Sequence, residues 1–137
     1  MAYTYRIDEH LGLGTIAFTD FVTRQDLADA HRRLLDDPAW QPGFACVWDG
    51  RAIGTFVLSI DDLLDVAAQA QQHAARRGEG RTAMIVSREL LFQVAGLLAG
   101  LMHREHRPVR VFKSMDRAAD WLDVGRPVSV LLQSRAA

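Results

Sequence analysis

Thr82-Ala-Met-Ile-Val86, a run opened by Ser87 and reaching about Glu105, and then Arg107-Pro-Val-Arg-Val-Phe-Lys113 decide the fold. The first and last segments are short, apolar and rich in β-branched residues, as strands covered on both faces are. The middle segment is too long for a strand and repeats at helical spacing. Leu90, Val94, Leu97 and Leu101 form one stripe, and Leu91, Ala95, Leu98 and Met102 the next. Strand, helix and strand in this order predict two parallel neighbours joined by a right-handed crossover.

The same alternation runs outward in both directions. Upstream, Phe44-Ala-Cys-Val-Trp48 reads as a buried strand stopping at Asp49-Gly50. A helix follows from Ser59, with Asp62 placed for a capping box, and it closes at Arg76-Arg77-Gly78. Further upstream, Tyr3–Asp8 and Thr15–Phe21 read as a hairpin turned through Gly12 and Gly14. Thr23, with Asp26 three residues on, starts a helix whose inner face is Leu27, Ala30, His31, Leu34 and Leu35, and Pro38 ends it. Downstream, Ser114 opens a short helix with Ala118, Trp121 and Leu122 inside. The expected fold is therefore α/β: a mostly parallel sheet of about five strands, four helices and an N-terminal hairpin. One domain is expected over residues 1–124. A tail, 125–137, carries the apolar run Val128–Leu132 and is expected to pack on the domain or on a partner.

Composition narrows the function classes. Sixteen Lys and Arg balance seventeen Asp and Glu for a net charge of −1, which argues against a nucleic-acid footprint. Cys46 is the only cysteine, so neither an intramolecular disulfide nor a cysteine zinc site can form within one chain, and a reducing compartment is expected. The first residues lack the apolar core of a signal peptide. Leu90–Met102 is far shorter than the roughly 20 residues that cross a bilayer. These features predict a cytoplasmic protein without membrane insertion.

Four fragments carry a family likeness: Leu34-Leu-Asp-Asp-Pro-Ala-Trp40, Val47-Trp-Asp-Gly-Arg51, Gly80-Arg-Thr-Ala83 and Ala118-Ala-Asp-Trp-Leu122. With the element order over residues 3–124, the chain resembles the STAS superfamily, and within it the SpoIIAA-like branch. The resemblance implies a regulatory or protein-interaction domain that is not an enzyme. In the anti-sigma antagonists of that superfamily, a serine in Asp-Ser-Ser-Gly after the third strand is phosphorylated. Here the chain reads Asp49-Gly-Arg-Ala-Ile-Gly-Thr-Phe-Val-Leu-Ser59 instead, keeping only the acid. Ser59 is the phospho-acceptor candidate, with Asp61, Asp62 and Asp65 set to repel a phosphate beside it.

Open α/β sheets bind ligands at the carboxyl ends of their strands. Those ends carry Asp49, Arg51, Ser59, Ser87 and Arg88 as crevice candidates, followed by Lys113 and Ser114, with Phe56 and Val57 as apolar neighbours. The plainer reading of Ser59, Ser87 and Ser114 is helix capping. His103 and His106 have helical spacing but lack a third ligand nearby, so no metal or other cofactor is expected. Cys46 reads as core, and no catalytic motif is present. The helix through Leu91, Leu98 and Met102 is apolar around most of its circumference, wider than the single face a surface helix needs. Leu91, Leu98 and Met102 are accordingly candidates for an interface with a second copy or another protein, with burial inside the domain as the competing reading. The alternative function is binding of a small amphipathic or anionic ligand in the crevice.

Overall fold

The computed structural model describes residues 2–123. Five strands, β1 (Tyr3–Asp8), β2 (Leu13–Thr23), β3 (Ala45–Val57), β4 (Thr82–Ile85) and β5 (Val109–Phe112), form one sheet in sequence order. β1 and β2 are an antiparallel hairpin, and every later neighbour is parallel. The segments around 44, 82 and 107 thus lie side by side and point the same way. The sheet is mixed but mostly parallel, as the strand–helix alternation predicts. The Val128–Leu132 run lies outside the described residues.

Side-chain alternation sorts the core onto two faces. Ile16, Phe18, Trp48 and Met84 face α1 (Arg24–Asp36), α2 (Ile60–Gln72) and α4 (Glu89–Met102). Leu13, Val47, Ala83, Ile85 and Phe112 face α5 (Met115–Leu122) through Ala118, Ala119 and Leu122. Both reciprocal capping boxes form, Thr23 with Asp26 and Ser59 with Asp62.

The largest departure from the sequence expectation is β3. It does not stop at Trp48-Asp49 but continues to Val57, paired with β2 as far as Thr23. β4 accompanies it only to Asp49, opposite Ile85. Beyond that point β2 and β3 form a two-stranded arm with one covered face. Ile53 and Phe56 pack inward while Ala52, Gly54, Thr55 and Val57 are exposed. The continuous apolar signature of a fully covered strand ends where the cover ends, so the arm reads as a loop. Two register shifts in β2, one beside Asp20 in the left-handed region (φ 58), bend it.

Helix ends differ as well. A one-turn helix, α3 (Ala74–Arg77), follows α2 after a break at His73, giving five helices among the described residues rather than four. α4 runs from Glu89 to Met102 and not to Glu105. Its N-cap is Arg88, without a side-chain cap bond, so Ser87 does not cap it. Ser114 occupies the N-cap position of α5, also without a side-chain bond. Gly78, at the end of α3, has φ 75 and ψ −177, a region reserved for glycine. It lies against the backbone of Pro42 and Gly43, where the Gly43 N–H donates to the Arg77 carbonyl at 3.0 Å.

Arg77 is a brace rather than a solvated helix end. It is buried and donates to the carbonyls of Phe44 (2.6 Å) and Arg81 (2.9 Å) and to the Thr82 hydroxyl (3.0 Å). Its guanidinium also lies 5.3 Å from the ring centre of Trp40. It thereby ties α3 to the entrances of β3 and β4.

Candidate functional site

The rim at the strand carboxyl ends splits into two faces because successive β3 side chains alternate. Trp48 and Gly50 point to the helix-covered side and line an apolar pocket with Ile53, Phe56, Leu91 and Leu98. The pocket holds about 480 Å³ counted to its open mouth. Asp49 and Arg51 sit on the other side, toward α5. Their carboxylate and guanidinium form a two-pronged pair, Nε to Oδ1 at 2.9 Å and Nη2 to Oδ2 at 2.8 Å, and Arg51 Nη1 also meets the Met115 sulfur at 3.8 Å. Asp49 raises the Arg51 pKa further. The predicted crevice therefore does not bring Arg51 together with Phe56. The arginine closes on its neighbour instead of facing an anion beside the apolar lining.

Ser59 is exposed, and its hydroxyl accepts from the Asp62 N–H at 3.1 Å while the Asp62 carboxylate accepts from the Ser59 N–H at 2.9 Å. Asp62 and Asp65 lie 3.8 and 3.6 Å from Arg24. Ser87 and Arg88 are exposed on the link from β4 into α4. His103 spends its Nδ1 accepting from the Val109 N–H at 3.1 Å. Among the described residues no three His, Cys, Asp or Glu groups gather as a metal site. Cys46 is fully buried, and burial pushes its thiol up, with nearby Arg77 pulling the other way.

The interface candidates divide. Leu91 and Leu98 are 5% and 4% exposed and belong to the core between α4 and the sheet, and Met102 is half-buried against it. The outward face of α4 is the other stripe, with Leu90 65% and Leu97 57% exposed. Beside it on α2, Ile60 and Leu64 are 68% and 47% exposed. Between the two helices runs an apolar groove of about 570 Å³ including its open side, with Gly96 and Gly100 on its α4 wall. Among the described residues a side-chain carbon built on either glycine meets nothing within 4 Å. The sequence does mark this face: Gln93, Gly96 and Gly100 share the side of the helix that carries Leu90 and Leu97.

His31 is a further group that the sequence reading placed only in the core. Its ring lies tilted against Trp48, centroids 5.3 Å apart, and it is 6% exposed. Burial, aided by the charges of Arg77 and His73, lowers its pKa to about 3. The unfolded value lies near 6.5. The neutral form therefore stabilises the fold fully above pH ~6.5, and that contribution is lost as pH falls toward 3, a difference of up to roughly 5 kcal/mol. His31→Gln should flatten this acid limb in urea unfolding measured from pH 7 to 4. Parallel wild-type and variant profiles would show that His31 does not set it.

No family model matches the sequence, and no curated protein matches it either. Among solved structures, the chain is similar to an uncharacterized protein of the DUF3478 family, with a SpoIIAA-like fold, from Shewanella loihica PV-4. The two are 15% identical with a TM-score of 0.56, over 88% of this chain and 92% of that one. The likeness establishes the fold: this chain has the SpoIIAA-like architecture. Among the described residues no helix is long and apolar enough to cross a membrane.

Proposed function

We propose that the chain is a non-catalytic, cytoplasmic protein-interaction domain of the STAS type, and that it works by pairing its α2/α4 face with a second copy of itself. The observation that carries this reading is the exposure of Ile60, Leu64, Leu90 and Leu97 around one apolar groove. Glycine in a helix interior costs about 1 kcal/mol relative to alanine. Among the described residues nothing crowds Gly96 or Gly100 closely enough to require a glycine there. Their use is explained when another backbone or a leucine approaches from outside. Knob and notch lie on one strip, so a two-fold axis sets Leu97 of each copy toward the glycine notch of the other, the self-complementarity that an isologous dimer requires. The helices then run antiparallel, which also opposes their dipoles favourably.

A second reading, a binder of one small apolar or amphipathic molecule, has its own support. The pocket beside Trp48 is lined by apolar residues. Native mass spectrometry separates the two. The interaction reading expects a dimer without added mass, and Leu97→Glu, which sets a charge on the exposed strip, should weaken it at least 100-fold while leaving the circular dichroism unchanged. A monomer carrying an extra mass would replace it with the ligand reading. A bare monomer at high concentration would remove both.

A further inference from the structure

At the opposite end of the parallel strands, where β4 and β5 begin, the helix-covered face holds a second cleft with a different chemistry. It encloses about 410 Å³ including its mouth, and its polar lining is His31, Gln71, Arg77, Thr82, Arg104 and Arg107. Three arginines, a histidine, an amide and a hydroxyl border it, Arg104 also donating to the Leu101 and His103 carbonyls, and among the described residues no carboxylate lines it. A buried cation is ordinarily paired with an acid, because desolvation without an opposite charge is costly. Among the described residues, Arg77, 5% exposed, is bonded to two carbonyls and a hydroxyl and lies over the Trp40 ring, with no acid paired to it. Burial holds the Arg77 pKa below its usual value, with Cys46 opposing the shift and the like charge of Arg107 adding to it. Arg107 is held over the cleft by donating to the Gln71 amide oxygen at 3.3 Å, and it also shares a tight backbone turn with Arg104. His31 supplies a second, independent sign. It is more than nine-tenths buried and lines this cleft, and among the described residues no hydrogen bond reaches either ring nitrogen.

We infer that this cleft binds a compact oxyanion of the phosphate type, with Arg77 supplying the fixed buried charge, Arg104 and Arg107 closing from the solvent side, and His31 donating a hydrogen bond from inside. The tetrahedral, multiply charged anion can accept from several donors at once, and guanidinium forks suit its oxygens. Ala67 and Ala70 of α2 and Leu101 and Met102 of α4 make most of the apolar wall. The cleft adjoins the apolar groove, the two sharing Leu101, but its polar lining lies beyond the exposed leucines.

The probes are inorganic phosphate and glycerol phosphate, titrated by calorimetry in low-chloride buffer, with the His31 ring signals followed by NMR. Saturable binding of either one that moves the His31 signals is expected. It should weaken at least tenfold in the Arg104→Gln/Arg107→Gln variant, whose side chains lie toward solvent and whose fold is checked by circular dichroism. Tighter binding of the ester places an organic phosphate in the cleft, and equal or tighter binding of the inorganic ion places a free one. Absence of saturation at tens of millimolar with both probes, or affinity unchanged in the double variant, would overturn the inference.

Discussion

Gly78→Ala is expected to leave almost no folded protein. The glycine holds φ 75 and ψ −177, a conformation that costs an alanine on the order of 1–3 kcal/mol by itself. The new methyl carbon would also collide with the Gly43 nitrogen and stand 2.7 Å from the Pro42 carbonyl carbon. Both are backbone atoms, so no side-chain rotation relieves the clash. Either the turn after α3 or the Pro42-Gly43 turn must move, and with it the Gly43-to-Arg77 hydrogen bond and the Arg77 brace at the start of β3. The combined loss should exceed about 4 kcal/mol, a large part of the ~5–15 kcal/mol that holds a domain together. Urea unfolding of whatever soluble protein is recovered measures it. A midpoint close to the wild type would show that the two turns do not touch as described.

Leu98→Glu should be comparably severe, and its contrast with Leu97→Glu separates the two sides of α4. Leu98 is 4% exposed and packs into the main core with Trp48 and Met84. Removing a buried leucine to alanine costs about 2–5 kcal/mol. Placing a carboxyl there without a partner adds its desolvation. Loss of the cooperative transition and of near-ultraviolet dichroism is the expected result. Leu97, one residue on and 57% exposed, should tolerate the same change with its fold intact. A well-folded monomeric Leu98→Glu protein would mean that Leu98, and not Leu97, faces outward.

Much of the fold can be read from the residues themselves. Short apolar segments alternating with capped helical runs specify a mostly parallel sheet, and both capping boxes are visible as Thr23/Asp26 and Ser59/Asp62. The β2–β3 arm is not legible because Gly50, Arg51 and Gly54 interrupt the apolar run, and only the pairing with β2 keeps that segment extended. Ser87 looks like a cap, yet the chain enters α4 one residue later. The functional surfaces were harder. The wide apolar circumference of α4 is plain in the sequence, but which stripe faces the sheet depends on the crossover angle, and the interface candidates Leu91 and Leu98 fall on the buried side. Arg76-Arg77 reads as an ordinary basic helix end. Only the fold shows that Arg77 turns inward and Arg76 does not, with Arg76 donating to the Leu35 carbonyl at 2.5 Å. Likewise Asp49 and Arg51, two apart on a strand, share one face and meet, which removes the arginine from the crevice.

The pairing of two copies through the outer face of α4 is tested most directly by a single introduced thiol. Cys46 is 0% exposed, so in Leu97→Cys the new sulfur is the one within reach of a short bismaleimide. Rapid capture of a covalent dimer at low protein concentration is expected through position 97, and little through Thr55→Cys on the exposed side of the β2–β3 arm. Equal yields from the two positions, or no linked dimer at 97, would contradict it.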